Sequence, residues 1–217
     1  MNGDGLPPTT ALADVLLIRE VSGVLSPPLR PFTTLEERVG GQARTVKLAP
    51  ADAPVGSLER LYALLDQDLD GAVIVVAGAE EIGAAVWGQI LSRAARRAGA
   101  AAALVGGDVR DRPELTREGL PVWGRSERTV GAVGVARVAA VDEPVTIGDT
   151  AIESGDTIVV DACGVVALPA GDAAALLAAA RDLTAGEEAL LAELEGSTAL
   201  ARAYAHKQSA VSRLRER

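Results

Sequence analysis

The chain has 217 residues and a mass of 22.2 kDa, which predicts one large domain or one domain with an extension. Hydrophobic residues make up 48% of it, so a wholly disordered chain is excluded. Its net charge of −9 argues against binding to anionic lipid or to nucleic acid, both of which need a basic surface.

The first part of the chain predicts two helices with an extended segment between them. Residues 1–10 are rich in glycine and proline, and we expect them to form a flexible N-terminus. Apolar residues recur at helical spacing in 11–21 and 57–67, whereas 38–48 has an extended pattern. The first ten residues do not resemble a signal peptide, and no apolar run is long enough to cross a membrane. We therefore expect a soluble, cytoplasmic protein.

The middle of the chain predicts a parallel sheet. Residues 72–76 and 101–105 are short, wholly apolar runs, which are typical of strands that are covered on both faces. Between them, residues 84–98 have the spacing of a helix. A strand, a helix and a second strand in this order predict two parallel strands with a right-handed crossover.

After residue 130 the pattern changes to short strands, and the chain then ends in helices. Turn residues separate the apolar segments 145–147, 151–153, 157–161 and 165–168, which predicts an antiparallel section. Helices are expected over 172–183 and 187–215. We therefore predict an α/β fold with one domain over 11–183 and a C-terminal helical extension over 184–217.

Cysteine and histidine are too scarce for several kinds of site. Cys163 is the only cysteine and His206 the only histidine, so one chain can form neither an intrachain disulfide nor a zinc site of Cys and His ligands. A catalytic metal would need oxygen ligands, which favours Mg²⁺ or Mn²⁺. Cys163 follows Asp161 in a turn between apolar strands, and we expect it to be a small buried residue.

Arg110 and Asp111 are the leading candidates for chemistry. They follow a buried strand closely, and catalytic groups in open α/β sheets gather beyond the carboxyl ends of parallel strands. Arginine offers a planar fork for a substrate carboxylate, and the neighbouring aspartate offers an oxygen ligand for a hard metal. The alternative is an ordinary surface ion pair in a loop.

Gly88 marks a second candidate. If a helix starts there, the backbone amides of Gln89, Ile90 and Leu91 would point into the same crevice and could bind an anion. A small residue inside a packed helix is the simpler interpretation.

These residues resemble a known family, which contains the regulator of ribonuclease activity A and a class II pyruvate aldolase. The aldolase acts on 4-hydroxy-4-methyl-2-oxoglutarate and 4-carboxy-4-hydroxy-2-oxoadipate. The family motif is an acidic residue or glycine, twenty residues, Arg-Asp, two residues and a final acidic residue. Arg110, Asp111 and Glu114 match its second half, and Gln89 occupies its first position. Further matches lie in 41–47, 121–123 and 155–169, and the resemblance covers about residues 11–205.

The resemblance implies a β/β/α swivelling-type fold that assembles as a homotrimer or hexamer, with sites between subunits. In the aldolases, the residue matching Asp111 holds Mg²⁺ and the one matching Arg110 binds the 2-oxo acid. The stretch matching 88–91 gives backbone amides to the substrate carboxylate. A glutamate from a neighbouring subunit's C-terminal helix also enters the site, and Glu187 is the best positional match, followed by Glu188. Gln89 stands where the aldolases place a carboxylate.

Two functions follow from this resemblance. The first is a divalent-metal-dependent lyase that releases pyruvate from a 2-oxo acid, by retro-aldol cleavage or by decarboxylation of oxaloacetate. In this reading Arg110, Asp111 and Glu187 are catalytic. The second is a non-catalytic regulator that binds and inhibits a ribonuclease. Retention of Arg110, Asp111 and Glu114 favours the lyase.

Overall fold

A curled, mixed sheet of eight strands forms the centre of the molecule. The computed structural model describes residues 5–34, 37–51, 58–196 and 199–215. Its strands are β1 Arg30–Pro31, β2 Val39–Pro50, β3 Val73–Ala77, β4 Ala85–Trp87, β5 Ala102–Val105, β6 Asp108–Val109, β7 Val122–Gly124, β8 Ser126–Glu127, β9 Ala136–Val141, β10 Val145–Ile147, β11 Thr150–Ile152, β12 Thr157–Asp161 and β13 Gly164–Leu168. The large sheet has the order β1-β7-β5-β3-β2-β12-β13, and β9 pairs with the C-terminal half of β2.

The middle of this sheet is parallel and buried. β2 pairs in parallel with β3, β3 with β5, and β5 with β7. Every residue of β3 and β5 is buried, in agreement with their unbroken apolar runs. The connection from β3 to β5 contains a helix, so the predicted parallel strand–helix–strand unit is confirmed.

Helices and a hairpin cover the sheet on its two faces. The helices are α1 Thr9–Arg19, α2 Glu59–Leu65, α3 Gln89–Arg97, α4 Arg112–Glu118, α5 Ala173–Glu195, α6 Leu200–Ala203 and α7 Ala205–Arg215. On one face of β3, Ile74 and Val76 join a core with α2, α3 and α4. On the other face, Val73 and Val75 join a core with the β10–β11 hairpin and with β12 and β13. The fold is thus mixed α/β with C-terminal helices, as the sequence predicts.

A third core joins the two ends of the chain. Leu12 and Leu16 of α1 pack with Leu183 of α5 and Leu214 of α7. Leu12 and Leu183 are fully buried, and truncating such a leucine to alanine typically costs about 2–5 kcal/mol. Gly186 lets α7 approach α5, because a Cβ there would lie 3.1 Å from the Cβ of Ala210.

Three local expectations were wrong. Residues 84–98 do not form one helix, because Ala85–Trp87 form β4, which is buried and pairs in parallel with β6. Pairing and burial outweigh the helical spacing there. The segments 172–183 and 187–195, which were expected to belong to two helices, form the single helix α5, which ends at Glu195. Cys163 is exposed, because it lies at the outer turn between β12 and β13.

Within the described ranges, no helix has both the length and the apolar character needed to cross a membrane.

Candidate active site

The ends of two neighbouring strands place the candidate residues together. β4, β6 and β8 form a small parallel sheet, so the carboxyl ends of β4 and β6 lie side by side. Gly88 follows β4, and Arg110 and Asp111 follow β6. The Arg110 amide donates a hydrogen bond of 2.9 Å to the Trp87 carbonyl, which joins the two strand ends.

Asp111 has an unusual backbone conformation at the start of α4. Its φ of 63° and ψ of 38° lie in the left-handed region, which aspartate tolerates better than most residues. One carboxylate oxygen, Oδ2, accepts a hydrogen bond of 3.2 Å from the Gln89 amide. The same oxygen lies 3.7 Å from Nε of Arg110, and 38% of the Asp111 side chain remains exposed. The carboxylate is therefore oriented but open to solvent.

Two glycines make room for the Arg110 side chain. A Cβ on Gly131 would lie 2.7 Å from Nη1 of Arg110, and a Cβ on Gly88 would lie 3.0 Å from its Cγ. A Cβ on Gly88 would also lie 2.7 Å from Oδ2 of Asp111. Both distances to polar atoms are shorter than a normal contact, so the guanidinium and the carboxylate occupy space that only glycine leaves open.

The start of α3 faces the same place. Gly88 is extended and precedes the helix, which begins at Gln89, so the interpretation of Gly88 as a residue inside a packed helix was wrong. The first intrahelical bond runs from the Ser92 amide to the Gly88 carbonyl. The amides of Ile90 and Leu91 therefore have no acceptor within the helix, and such amides attract anions.

A buried carboxylate ties α3 to α4. Glu118, at the end of α4, accepts hydrogen bonds of 2.7 and 3.0 Å from Arg93 and one of 2.9 Å from the Gln89 side chain. The Arg93 hydrogen bonds, followed by that of Gln89, lower the pKa of Glu118 to about 2, so it is charged at neutral pH. Gln89 therefore points its side chain towards Glu118 and its amide towards Asp111.

Asp111 is the carboxylate best placed for a metal. Asp108 is engaged by Ser126 and by Arg128, whose Nε lies 2.6 Å from it. Burial raises the pKa of Asp108, but these hydrogen bonds outweigh it and lower the pKa below its ordinary value. The carboxylate of Glu114 is also paired with a cation, because its Oε1 lies 3.3 Å from Nη1 of Arg117.

The donor set fits a hydrated magnesium ion. Among the described residues, no three His, Cys, Asp or Glu side chains cluster as a metal cage. Mg²⁺ does not need one, because it keeps several waters and uses one or two carboxylates together with oxygen atoms of the substrate. The single carboxylate of Asp111, beside an open cleft, meets that requirement.

Glu187 lies apart from this cluster within the chain. It is on α5, where its carboxylate contacts Nζ of Lys207 at 2.6 Å, and the same ammonium lies 3.4 Å from Asp14. Hydrogen bonding to Glu187 raises the pKa of Lys207. Glu187 therefore stays a predicted site residue that only a neighbouring subunit could supply.

The cluster opens into a cleft of about 360 Å³. Its floor is β4, its walls are α2, α3 and the loop at 132–133, and Arg110 and Asp111 lie on its lining. Two of its lining side chains, Ile90 and Val133, are apolar and mostly exposed, and Val130, three residues before Val133, is exposed too.

Sequence reasoning missed Gly131 and Glu118. Gly131 lies 21 residues after Arg110 in a segment without regular structure, and it reaches the site because residue 85 bridges to it. Glu118 resembles any charged residue at the end of an amphipathic helix. The signal that could have found it is the pair Gln89 and Arg93, spaced one helical turn apart.

Comparison with known proteins supports the assignment of the fold. Residues 9–167 match the family model described as RraA-like, Aldolase/RraA. A protein of Halalkalibacterium halodurans, named as a candidate 4-hydroxy-4-methyl-2-oxoglutarate aldolase, is 29% identical over 92% of this chain and 90% of its own. An uncharacterised protein from Pseudomonas syringae pv. tomato has a similar structure, with a TM-score of 0.81, 26% identity and coverage of 91% and 88%. Streptomyces coelicolor RraAS2, an unusual member of the RNase ES inhibitor RraA family, aligns with a TM-score of 0.71, 27% identity and coverage of 82% and 88%. The chain belongs to the Aldolase/RraA family.

Proposed function

We propose that the protein is a divalent-metal-dependent lyase that cleaves a 2-oxo acid and releases pyruvate. The observation that carries this proposal is the meeting of three features in one cleft: the Arg110 guanidinium, the Asp111 carboxylate and the amides of Ile90 and Leu91, which have no acceptor within α3. Together they offer a fork for a carboxylate, an oxygen ligand for a hard cation and a second anion-binding turn. The family relationship supports the same chemistry.

In the retro-aldol reaction, the C4 hydroxyl of the substrate loses its proton and the C3–C4 bond breaks. The electron pair of that bond forms the enolate of pyruvate, which then takes a proton at C3, and C4 leaves as a carbonyl. Mg²⁺ or Mn²⁺ held by Asp111 would, when bound, polarise the 2-oxo group. Arg110 contributes most when negative charge grows on that oxygen, so it stabilises the transition state more than the substrate. The amides of Ile90 and Leu91 orient the substrate carboxylate.

The most direct assay follows pyruvate with lactate dehydrogenase. Oxaloacetate, 4-hydroxy-4-methyl-2-oxoglutarate and a 4-hydroxy-2-oxo acid with an alkyl group at C4 would each be tested with Mg²⁺ and with a chelator. We expect pyruvate release from at least one of them that the chelator abolishes, beyond the rate without enzyme. No release from any of them would refute the lyase proposal.

We also propose that the site is completed in a homotrimer or hexamer by Glu187 of a neighbouring subunit. Two apolar side chains on the cleft lining, Ile90 and Val133, are mostly exposed, and this supports the proposal, because exposed apolar surface beside a site marks protein contacts. Leu191 of α5 is also exposed, one helical turn beyond Glu187.

Mixing two inactive variants tests this assembly. Subunits with Arg110→Ala and subunits with Glu187→Ala should regain activity when they are mixed and reassembled, because some sites then contain both native residues. Light scattering should give a particle of three or six subunits. A 22.2 kDa particle, or no recovery on mixing, would refute the shared site.

The second candidate function is regulation of a ribonuclease, and the likeness to Streptomyces coelicolor RraAS2 favours it. Binding to a ribonuclease would not require Arg110 to stabilise an enolate. Binding of a ribonuclease that survives Arg110→Ala, in a protein that releases no pyruvate, would make the regulator the better description.

A further inference from the structure

Away from Arg110 and Asp111, the lining of the cleft is apolar except for Asp66. Strand β4 forms its floor, and helix α2, helix α3 and the loop that follows Gly131 form its walls. The side chains that line this part are Tyr62, Leu65, Val86, Leu91, Ala94 and Ala132. Its volume of about 360 Å³ is within the range of pockets that bind small molecules. The cleft therefore has room for a substrate whose far end is a hydrocarbon.

The charges along the cleft disfavour a second carboxylate on the substrate. Among the described lining residues, Arg110 is the one cation, and the 2-oxo acid end of the substrate would use it. The other charged lining residue besides Asp111 is Asp66, whose carboxylate lies 3.2 Å from Arg97 on the exposed side of α3. A second substrate carboxylate would thus lose water without gaining an unpaired cation from the described lining residues, which is costly.

We infer that this site prefers 2-oxo acids with an apolar chain beyond C4 over those with a second carboxylate. This inference rests on the proposed function, because it assumes that Arg110 binds the 2-oxo acid end. The substrate would be a 4-hydroxy-2-oxo acid with an alkyl group at C4. Breaking its C3–C4 bond would give pyruvate and an aliphatic aldehyde, with one proton lost from the C4 hydroxyl oxygen and one proton added at C3.

A matched pair of ligands tests the preference without any catalysis. 2-Oxohexanoate and 2-oxoadipate have the same six carbons, differ in one terminal methyl or carboxylate, and lack the C4 hydroxyl that cleavage needs. Calorimetry with wild-type protein and Mg²⁺ should show that 2-oxohexanoate binds about tenfold more tightly or better. Each methylene buried in the cleft is worth about a fourfold change in affinity. Equal affinities, or tighter binding of 2-oxoadipate, would overturn the inference.

A charged substitution in the cleft wall tests whether the hydrocarbon chain of the ligand lies along that wall. Ala94 is half-buried and lies in the second turn of α3, on the wall of the cleft. Ala94→Arg should bring a cation to the apolar end and reduce the preference for 2-oxohexanoate at least threefold. Leu17→Arg is the matched control, because it makes the same charge change at an exposed position of α1, outside the cleft. If both variants keep the wild-type ratio, the chain does not lie along this wall and the inference fails.

The outcomes also separate this inference from the proposed function. If neither ligand binds in the presence of Mg²⁺, both proposals fail. If both bind and 2-oxoadipate binds as well as or better than 2-oxohexanoate, the lyase proposal stands and the substrate assignment fails. In the pyruvate assay, the alkyl substrate should have a kcat/KM about tenfold or more above that of 4-hydroxy-4-methyl-2-oxoglutarate.

Discussion

Gly88→Ala is the substitution that tests most simply whether Gly88, Arg110 and Asp111 form one site. Its extended backbone suits alanine, so the change adds one methyl group and no backbone strain. That Cβ would lie 2.7 Å from Oδ2 of Asp111 and 3.0 Å from Cγ of Arg110, so both side chains must move. Each is more than a third exposed and can move at little cost, and we expect the free energy of unfolding to change by about 1 kcal/mol or less. A displacement of about 1 Å in a catalytic group can cost about 10²-fold in rate.

The assay is pyruvate formation with the best substrate, together with thermal unfolding and calorimetric Mg²⁺ binding. Gly88→Ala should lower kcat by about 10²-fold while the melting temperature barely changes. Gly171→Ala is the matched control, because a Cβ there meets nothing within 4 Å, and it should leave both quantities unchanged. Wild-type kcat and Mg²⁺ affinity in a folded Gly88→Ala protein would refute the idea that Gly88, Arg110 and Asp111 form one site.

Three further predictions concern single side chains. Arg110→Ala and Arg110→Lys should each lower kcat by about 10²–10³, since lysine keeps the charge but not the planar fork; near-wild-type activity of Arg110→Lys would argue against bidentate binding. Asp111→Ala should abolish Mg²⁺-dependent turnover in a folded protein, and unchanged Mg²⁺ affinity by calorimetry would place the metal elsewhere. Glu118, whose pKa is lowered from 4.5 to about 2 by Arg93 and Gln89, contributes stability that is fully present above about pH 5 and is lost as the pH falls towards 2. In urea unfolding, the destabilisation caused by Glu118→Gln should therefore be smaller at about pH 3 than at about pH 6, and a pH-independent difference would contradict this cause.

The parallel core could be predicted because its signal is local. The residues of β3 and β5 are apolar without interruption, whereas a strand with one exposed face would alternate apolar and polar residues. The helix between the two strands returns the chain to the same end of the sheet, which makes the strands parallel. The strands β12 and β13 were also predictable, since turn residues bound them on both sides. By contrast, β4 has three residues and forms because β6 lies beside it, and no local pattern reports that partner.

The candidate site divides in the same way. Arg110 and Asp111 could be predicted because they follow a buried strand closely and carry the family motif. Gly131 and Glu118 could not, because their importance lies in contacts with Arg110 and Gln89 that are distant in the sequence. The start of α3 at Gly88 was ambiguous, since the helical spacing continues on both sides of the glycine. Only pairing of the preceding residues with β6 decides that the helix begins there.

A crystal structure with Mg²⁺ and oxalate would test the central claim most directly. Oxalate is a stable dianion that resembles the enolate of pyruvate in shape and charge. We expect it in the cleft, with its oxygen atoms within hydrogen-bonding distance of the Arg110 guanidinium and of the amides of Ile90 or Leu91, and with the metal on Asp111. Oxalate and metal bound elsewhere, or a cleft that stays empty at saturating concentrations of both, would contradict the assignment of this site.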